Sequence, residues 1–407
     1  MMYIKHICGG LKMELSKKAL SISPSSTLAI DAKAKKMKAE GIDIIGFGAG
    51  EPDFDTPDHI KAAAIQAIND GFTKYTPASG TLELKKAICN KFMKDNQLEY
   101  KPSNIVISNG AKHSLVNAFQ AILNPGDEVI IPAPFWVSYP EMVKIADGVP
   151  VILNSTEEEG FKLSIEKLEK AITPKTKAIV INSPSNPTGM IYSEDELRAI
   201  ADIAVSKGIF VISDEIYEKL VYDGYKHVSI ASFNEKIKDL TIIVNGVSKS
   251  YSMTGWRIGY TASNEKIATI MGNVQSHATS NPNSIAQKAA QAALEGPEDI
   301  IEIMKAEFVK RRDYMVDRIN SINGLSCLKP NGAFYVMMNI SKYIGTEIDG
   351  VKINGSDDFA ELLLEKANVA LVPGSGFGTD IHVRLSYATS LENIKEGLNR
   401  IEKFLNK

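Results

Sequence analysis

The chain alternates short apolar, β-branched runs with longer amphipathic segments. The runs fall at 105–107, 129–131, 151–153, 178–181, 209–212 and 241–244. Each is continuously apolar rather than alternating, which predicts strands covered on both faces. Between them lie helix-like segments at 112–123, 164–172 and 193–207. The last opens Ser193-Glu194-Asp195-Glu196, a capping box with Ser at the N-cap and Glu three residues on. This rhythm predicts an α/β fold with a mostly parallel, doubly wound sheet. After Pro297 the rhythm changes. A charged segment at 298–322 reads as one long helix. Strand-like 333–338, a helix at 356–367, strands near 369–372 and 382–385 and a closing helix follow. The expected organisation is a disordered leader over 1–15, an N-terminal segment 16–55 contributing to a smaller α+β domain, a large domain 56–296, and the small domain itself at 297–407.

Composition narrows the function classes. The 407 residues carry a formal net charge of -3 with no basic run, so nucleic acid is not an expected partner. Cys8, Cys89 and Cys327 lie far apart, and the six histidines lack metal-ligand spacing. Neither a disulfide framework nor a metal site is expected. No apolar stretch approaches the roughly 18 residues of a membrane span, and the opening MMYIKHICGGLKM is too interrupted for a signal peptide. A cytoplasmic protein is the expectation, with Met13 an alternative start to Met1.

In doubly wound sheets, ligands gather beyond the carboxyl ends of the strands. The unusual residues of this chain collect there. Asn109-Gly110-Ala111-Lys112 opens a helix after a strand, where small residues let backbone N–H groups approach an anion; a plain strand-to-helix turn is the alternative. Trp136 follows the next strand and can stack on a flat ring or simply pack in the core. Pro184, Pro187 and Gly189 stiffen the loop that carries Asn186. Asp214 ends a buried strand, as a ligand-directed carboxylate or one half of a core ion pair. Lys249 follows Gly246-Val247-Ser248 at another strand end, with Arg257 eight residues on. A lysine reached through small residues is a candidate for Schiff-base chemistry, because burial frees its amine. Gly46-Phe47-Gly48-Ala49-Gly50 and Gly374-Ser375-Gly376-Phe377-Gly378 lack dinucleotide-fingerprint spacing and read as turns near a substrate.

Four of these segments in this order resemble the class I aminotransferases of fold type I, which use pyridoxal 5'-phosphate. They are Asn186-Pro187-Thr188-Gly189, Ser213-Asp214-Glu215-Ile216-Tyr217, the stretch 246–259 and His382-Val383-Arg384-Leu385-Ser386-Tyr387. The resemblance covers the chain from about Ser16 onwards and implies a role for each matching residue. Lys249 would carry the cofactor and move the substrate proton. Asp214 would pair with the pyridine N–H. Asn186 and Tyr217 would bond the ring's phenolic oxygen, and Trp136 would stack on the ring. Gly110, Ala111, Lys112 and Arg257 would hold the phosphate. Arg384 would grip the substrate carboxylate with its bidentate fork, helped by backbone at Gly50. Tyr75 would reach the phosphate of a neighbouring subunit, implying a homodimer with shared sites.

Two departures point to one branch of that family. Where animal and enteric aspartate enzymes carry an arginine for the distal carboxylate, this chain has Ser276. Where they carry a phosphate-binding Ser, it has Gly246. Both resemble the bacterial aspartate aminotransferases in which a Lys at the Lys112 position, with residues at Ser26 and Thr27, meets that carboxylate. The implied reaction is ping-pong transfer of an amino group between aspartate and 2-oxoglutarate. Prephenate, aromatic, kynurenine or alanine aminotransferases, or a C–S lyase, share the same residues. A regulator built on this fold would need a DNA-binding domain, for which the residues before Ser16 leave no room.

Overall fold

A computed structural model describes residues 14–24 and 26–406, with the side chains of 26–29 and 31 outside the description. Almost all of the expected leader over 1–15, Met13 included, lies outside the described residues. The apolar runs become strands β1 (Ile105–Ser108), β2 (Glu128–Ala133), β3 (Val149–Asn154), β4 (Thr176–Asn182), β5 (Phe210–Asp214) and β6 (Thr241–Gly246). The sequence reading did not include β7 (Gly259–Ala262), whose glycine and short length hide it from a periodicity search. The seven form one sheet in the order β1-β7-β6-β5-β4-β2-β3. All neighbouring pairs are parallel except those of β7, which runs antiparallel between β1 and β6.

Strand side chains alternate between faces, so a continuous apolar run supplies two cores. Val129 and Ile131 pack one way with Leu115, Phe119 and Tyr139. Ile130, Ile179 and Ile181 pack the other way with Leu197, Ile200 and Ala204. The first face is covered by α1 (Ala111–Ile122) and α2 (Ser138–Ile145), the second by α3 (Glu194–Lys207). α3 begins with the expected capping box: the Ser193 hydroxyl accepts from the Glu196 amide, and the Glu196 carboxylate accepts from the Ser193 amide. One strand departs from the two-sided expectation. β3 is one of the sheet's two edge strands, and Val149 and Ile152 remain exposed there, whereas β1 at the other edge is buried throughout.

The later part of the chain builds a second, antiparallel sheet from β8 (Ser326–Cys327), β9 (Tyr335–Asn339), β10 (Val372–Pro373) and β11 (His382–Ser386), in the order β10-β11-β9-β8. The predicted charged helix is α4 (Asp299–Ser321), and the closing one is α5 (Leu391–Leu405). A short strand at Ile45–Gly46 pairs in parallel with Val369–Ala370, which ties the N-terminal segment to this second layer.

The core between α4 and the second sheet is aromatic. Phe308 meets Phe54 edge-on at 5.7 Å and Tyr387 edge-on at 6.1 Å, lies tilted against Phe334 at 5.5 Å, and is fully buried. Phe308→Ala should therefore lose about 3–5 kcal/mol of stability, seen as a lower urea midpoint; an unchanged midpoint would contradict this packing.

Candidate active site

Six strands running the same way, β1 to β6, end at one edge of the large sheet, and antiparallel β7 begins there, because Gly246 and Ser108 both lie opposite Gly259. Beyond that edge lies a cavity of about 280 Å³, bounded on its far side by β9 and β11. The sheet brings to its walls Ala111, Lys112, Trp136, Asn186, Asp214, Tyr217, Lys249 and Arg257, and the second layer adds Gly48, Gly50, Tyr335 and Arg384. Most of the residues singled out in the sequence are thus gathered in one place.

The phosphate-sized corner is built from backbone. α1 starts at Ala111 behind Gly110, which has φ +85 and no side chain to cap the helix. First-turn N–H groups and the positive helix end therefore face the cavity. Glycine is favoured at 110 by φ, and a Cβ there would push the Arg257 guanidinium aside, whereas at Gly259 the clash is with backbone. A Cβ on Gly110 would stand 2.0 Å from Arg257 Nη2, and one on Gly259 would stand 2.2 Å from the Ala111 amide nitrogen. The same crowding accounts for Gly246, where a Cβ would lie 2.9 Å from the Ile258 carbonyl. Arg257 is held over this corner by donating to the Thr254 and Asn109 carbonyls at 2.8 and 3.3 Å. Backbone donors, an arginine and space that any Cβ would fill make a cradle for a dianionic phosphate.

Lys249 reaches into the cavity and donates to the Gly50 carbonyl at 2.6 Å. Burial pulls its ammonium down to about 8, against the opposing attraction of Glu51. Asp214 ends β5 with its carboxylate buried. Oδ2 accepts from the Tyr139 hydroxyl at 2.6 Å, and Oδ1 accepts from the Ile216 amide at 3.3 Å. Burial pushes its carboxyl up to about 6. Beneath it, Glu215 lies 3.1 Å from His227, and Glu218 pairs with Lys91. Burial pushes the Glu218 carboxyl up, but the Lys91 ammonium overrides this and holds it at about 2.

The opposite wall belongs to Arg384 on β11. Its Nη1 donates to Asn186 Oδ1 at 3.0 Å and its Nη2 to the Gly48 carbonyl at 2.9 Å, while its plane lies over Tyr335 at 4.5 Å. Tyr335 in turn shares a 2.9 Å hydroxyl contact with Tyr217. The Lys112 ammonium sits 4.9 Å from the Trp136 ring centre, and burial and then Arg257 lower its pKa.

Some expected residues fall elsewhere. Tyr75 is 91% exposed and does not line the cavity of its own chain. The side chains of Ser26 and Thr27 lie outside the described residues, and Ser276 is exposed on a helix. Gly50 presents its carbonyl to Lys249, so only its N–H could serve a carboxylate. Sequence reasoning gave no role to Tyr139, Asn182 or Tyr335. Asn182 donates to the Asp214 carbonyl at 3.0 Å and accepts from the Asn186 amide at 2.8 Å, bracing both residues. Its place at the end of β4 was the one available signal.

The donor set fits pyridoxal phosphate: an anion cradle, a buried amine for its carbonyl carbon, a carboxylate for its ring nitrogen and an indole for its ring face. Comparison with known proteins agrees in kind. The family model "Aminotransferase class I and II" matches residues 42–401. The chain is 53% identical over 395 residues to an aspartate aminotransferase of Bacillus subtilis, covering 97% of this chain and all of the relative. It is 49% identical over 396 residues to an aspartate/prephenate aminotransferase of Nitrosomonas europaea, with 97% and 100% coverage. Among solved structures, an aspartate aminotransferase from Rhizobium meliloti superposes with TM-score 0.94 at 45% identity, covering 97% of this chain and 99% of the other. The Thermus thermophilus aspartate aminotransferase with maleate gives 0.91 at 42%, covering 96% and 100%.

A buried amine with a pKa of about 8 is largely neutral where surface lysines are charged. In cofactor-free protein, competitive acetylation followed by peptide mass spectrometry should give Lys249 a labelling midpoint near pH 8. Surface lysines should follow near 10. A Lys249 midpoint matching theirs would remove the argument that burial frees its amine.

Proposed function

The chain belongs to the aminotransferase class I and II family, and from that premise we propose that it is an aspartate aminotransferase moving an amino group between L-aspartate and 2-oxoglutarate. The observation that carries this reading is one cavity holding a buried amine, a buried carboxylate and an opposing guanidinium fork. Pyridoxal phosphate, the cofactor of this family, supplies the electron sink that acidifies the Cα–H of an amino acid. The chain's own residues do the rest. Gly110, Ala111, Lys112 and Arg257 hold the phosphate, and Trp136 covers the ring. Asp214 keeps a proton on the ring nitrogen by opposing its charge. Asn186 and Tyr217 bond the phenolic oxygen. Lys249 Nζ takes the substrate's Cα proton and returns it at a neighbouring carbon, a task suited to an amine whose pKa burial has lowered. Arg384 binds the α-carboxylate through its planar fork, with the Gly50 backbone beside it, and so fixes which substituent faces Lys249.

The choice of a dicarboxylate rests on Lys112, a part-desolvated ammonium on the cavity wall, with Ser26 and Thr27 as its partners. The Thermus relative, solved with the four-carbon dicarboxylate maleate, supports it. Prephenate as an additional amino acceptor is the second reading, favoured by the name of the Nitrosomonas relative. Tyr75, an aromatic side chain held almost wholly in water, is supported as the residue that crosses to a second copy's phosphate in a homodimer. The pairing of Ile45–Gly46 with Val369–Ala370 supports a division into a large domain at 56–296 and a small one at 16–55 with 297–407. No helix among the described residues is long and apolar enough to cross a membrane, in keeping with a cytoplasmic site of action.

Two experiments test this reading. Purified protein supplied with pyridoxal phosphate should show a bound absorption band in the near-ultraviolet or visible, and Lys249→Ala should abolish the covalent adduct seen by mass spectrometry after borohydride. Absence of cofactor in the wild type would sink the assignment. In half-reactions with a panel of amino acids, Asp and Glu should lead. Lys112→Ala should then cost these two about 10- to 100-fold in kcat/KM, the loss of one charge-assisted contact, and Phe or Ala much less. Equal losses for all four would assign Lys112 to the phosphate alone, and release of a thiol product would favour a C–S lyase.

A further inference from the structure

Tyr139 follows three residues after Trp136, at the second position of α2, and its side chain is 2% exposed. Its hydroxyl meets Asp214 Oδ2 at 2.6 Å, the shorter of the two hydrogen bonds to that carboxylate. Its ring stands edge-on to Trp136, with centroids 5.4 Å apart and planes at 87°. One side chain thus joins the indole on the cavity wall to the carboxylate at the cavity floor. We propose that Tyr139 is a positioning residue for Asp214, whose hydroxyl keeps that carboxylate ionised and aimed into the cavity in surroundings that otherwise favour the neutral acid.

The groups facing Asp214 define the problem Tyr139 solves. Glu215, next in the chain, repels a second negative charge. Lys249 across the cavity attracts one, but its own charge is weakened by burial. Tyr217, three residues on, has its hydroxyl turned to Tyr335. The Ile216 amide contact is long. That leaves the Tyr139 phenol as the strong donor. Burial and the adjacent Asp214 hold its proton far above the ordinary phenol range, so it donates at every working pH. A short O–H donor to a carboxylate favours the ionised form. Two other buried phenols serve the backbone instead: Tyr192 accepts from the Leu163 amide, and Tyr222 donates to the Ala333 carbonyl.

The inference rests on the reading of Asp214 as the partner of the ring nitrogen, and its test separates the two. Full-length wild type, Tyr139→Phe and protein carrying trifluorotyrosine at 139 would be titrated with pyridoxal phosphate from pH 5 to 9 and the dissociation constant read at each pH. Only the carboxylate form of Asp214 opposes the ring charge, so affinity is present above its pKa of about 6 and lost as pH falls through it. Removing the donor raises that pKa. Tyr139→Phe should therefore show its acid-side loss about one pH unit higher, binding about twofold more weakly at pH 7 and approaching about tenfold more weakly at the acid end of the range. The fluorinated phenol, a stronger donor, should move the loss to lower pH. Opposite displacements cannot come from a packing defect. Superimposable profiles, or equal weakening without displacement in both variants, would overturn the role. Thermal unfolding of the cofactor-free proteins checks that both variants fold. A wild type that takes up no pyridoxal phosphate would overturn the aminotransferase reading itself, and the inference with it.

Discussion

The site depends on withholding water from two groups that want it. An ammonium at Lys249 and a carboxylate at Asp214 each lose hydration in the cavity, and each shifts toward its neutral form. In an open groove the lysine would be a spectator charge and the aspartate an ordinary anion. The large sheet provides the dry setting: β5 and β6 are buried along their whole length apart from Phe210, and they deliver both residues at adjacent strand ends. A second layer of ions beneath, Glu215 with His227 and Glu218 with Lys91, meets its own desolvation by pairing. The site above it is left with charges that a ligand can complete.

Holding such a site open requires stiff walls. The cavity's polar groups are braced by neutral partners: Arg384 by Asn186 and the Gly48 carbonyl, Asn186 by Asn182, and Tyr217 by Tyr335. The Arg384–Asn186 and Tyr217–Tyr335 contacts cross between the large sheet and the second one, so the orientation of the guanidinium is set by both layers together. Aromatic faces do similar work, with Tyr335 under Arg384 and Trp136 under Lys112.

Much of this was legible in the sequence because its physical signals are local. Continuous apolar runs marked the strands, Ser193 and Glu196 marked a helix start, and Asp214 and Lys249 stood out as charges after buried runs. The parts that were not legible depend on residues distant in the chain. β7 is too short and too plain to announce itself, and its place between β1 and β6 is a matter of sheet topology. The exposure of β3 is likewise set by what packs beside it: both β1 and β3 are sheet edges, yet only β3 is left uncovered. Tyr139 looked like one aromatic among many, since its meaning lies in an aspartate 75 positions away. The reason for Gly110 and Gly259 is also mutual: each is small because the other part of the chain passes so near.

That mutual approach has a consequence for how the protein is made. The anion cradle consists of two halves, the turn after β1 and the start of β7, which are neighbours in the sheet but lie some 150 residues apart in the chain. On the ribosome the first half emerges long before its counterpart, and pairing them means closing a very long loop. Until β7 has slotted between β1 and β6, the two halves of the cradle stand apart. A ligand that fills the joined cradle would then hold the two distant segments together by mass action.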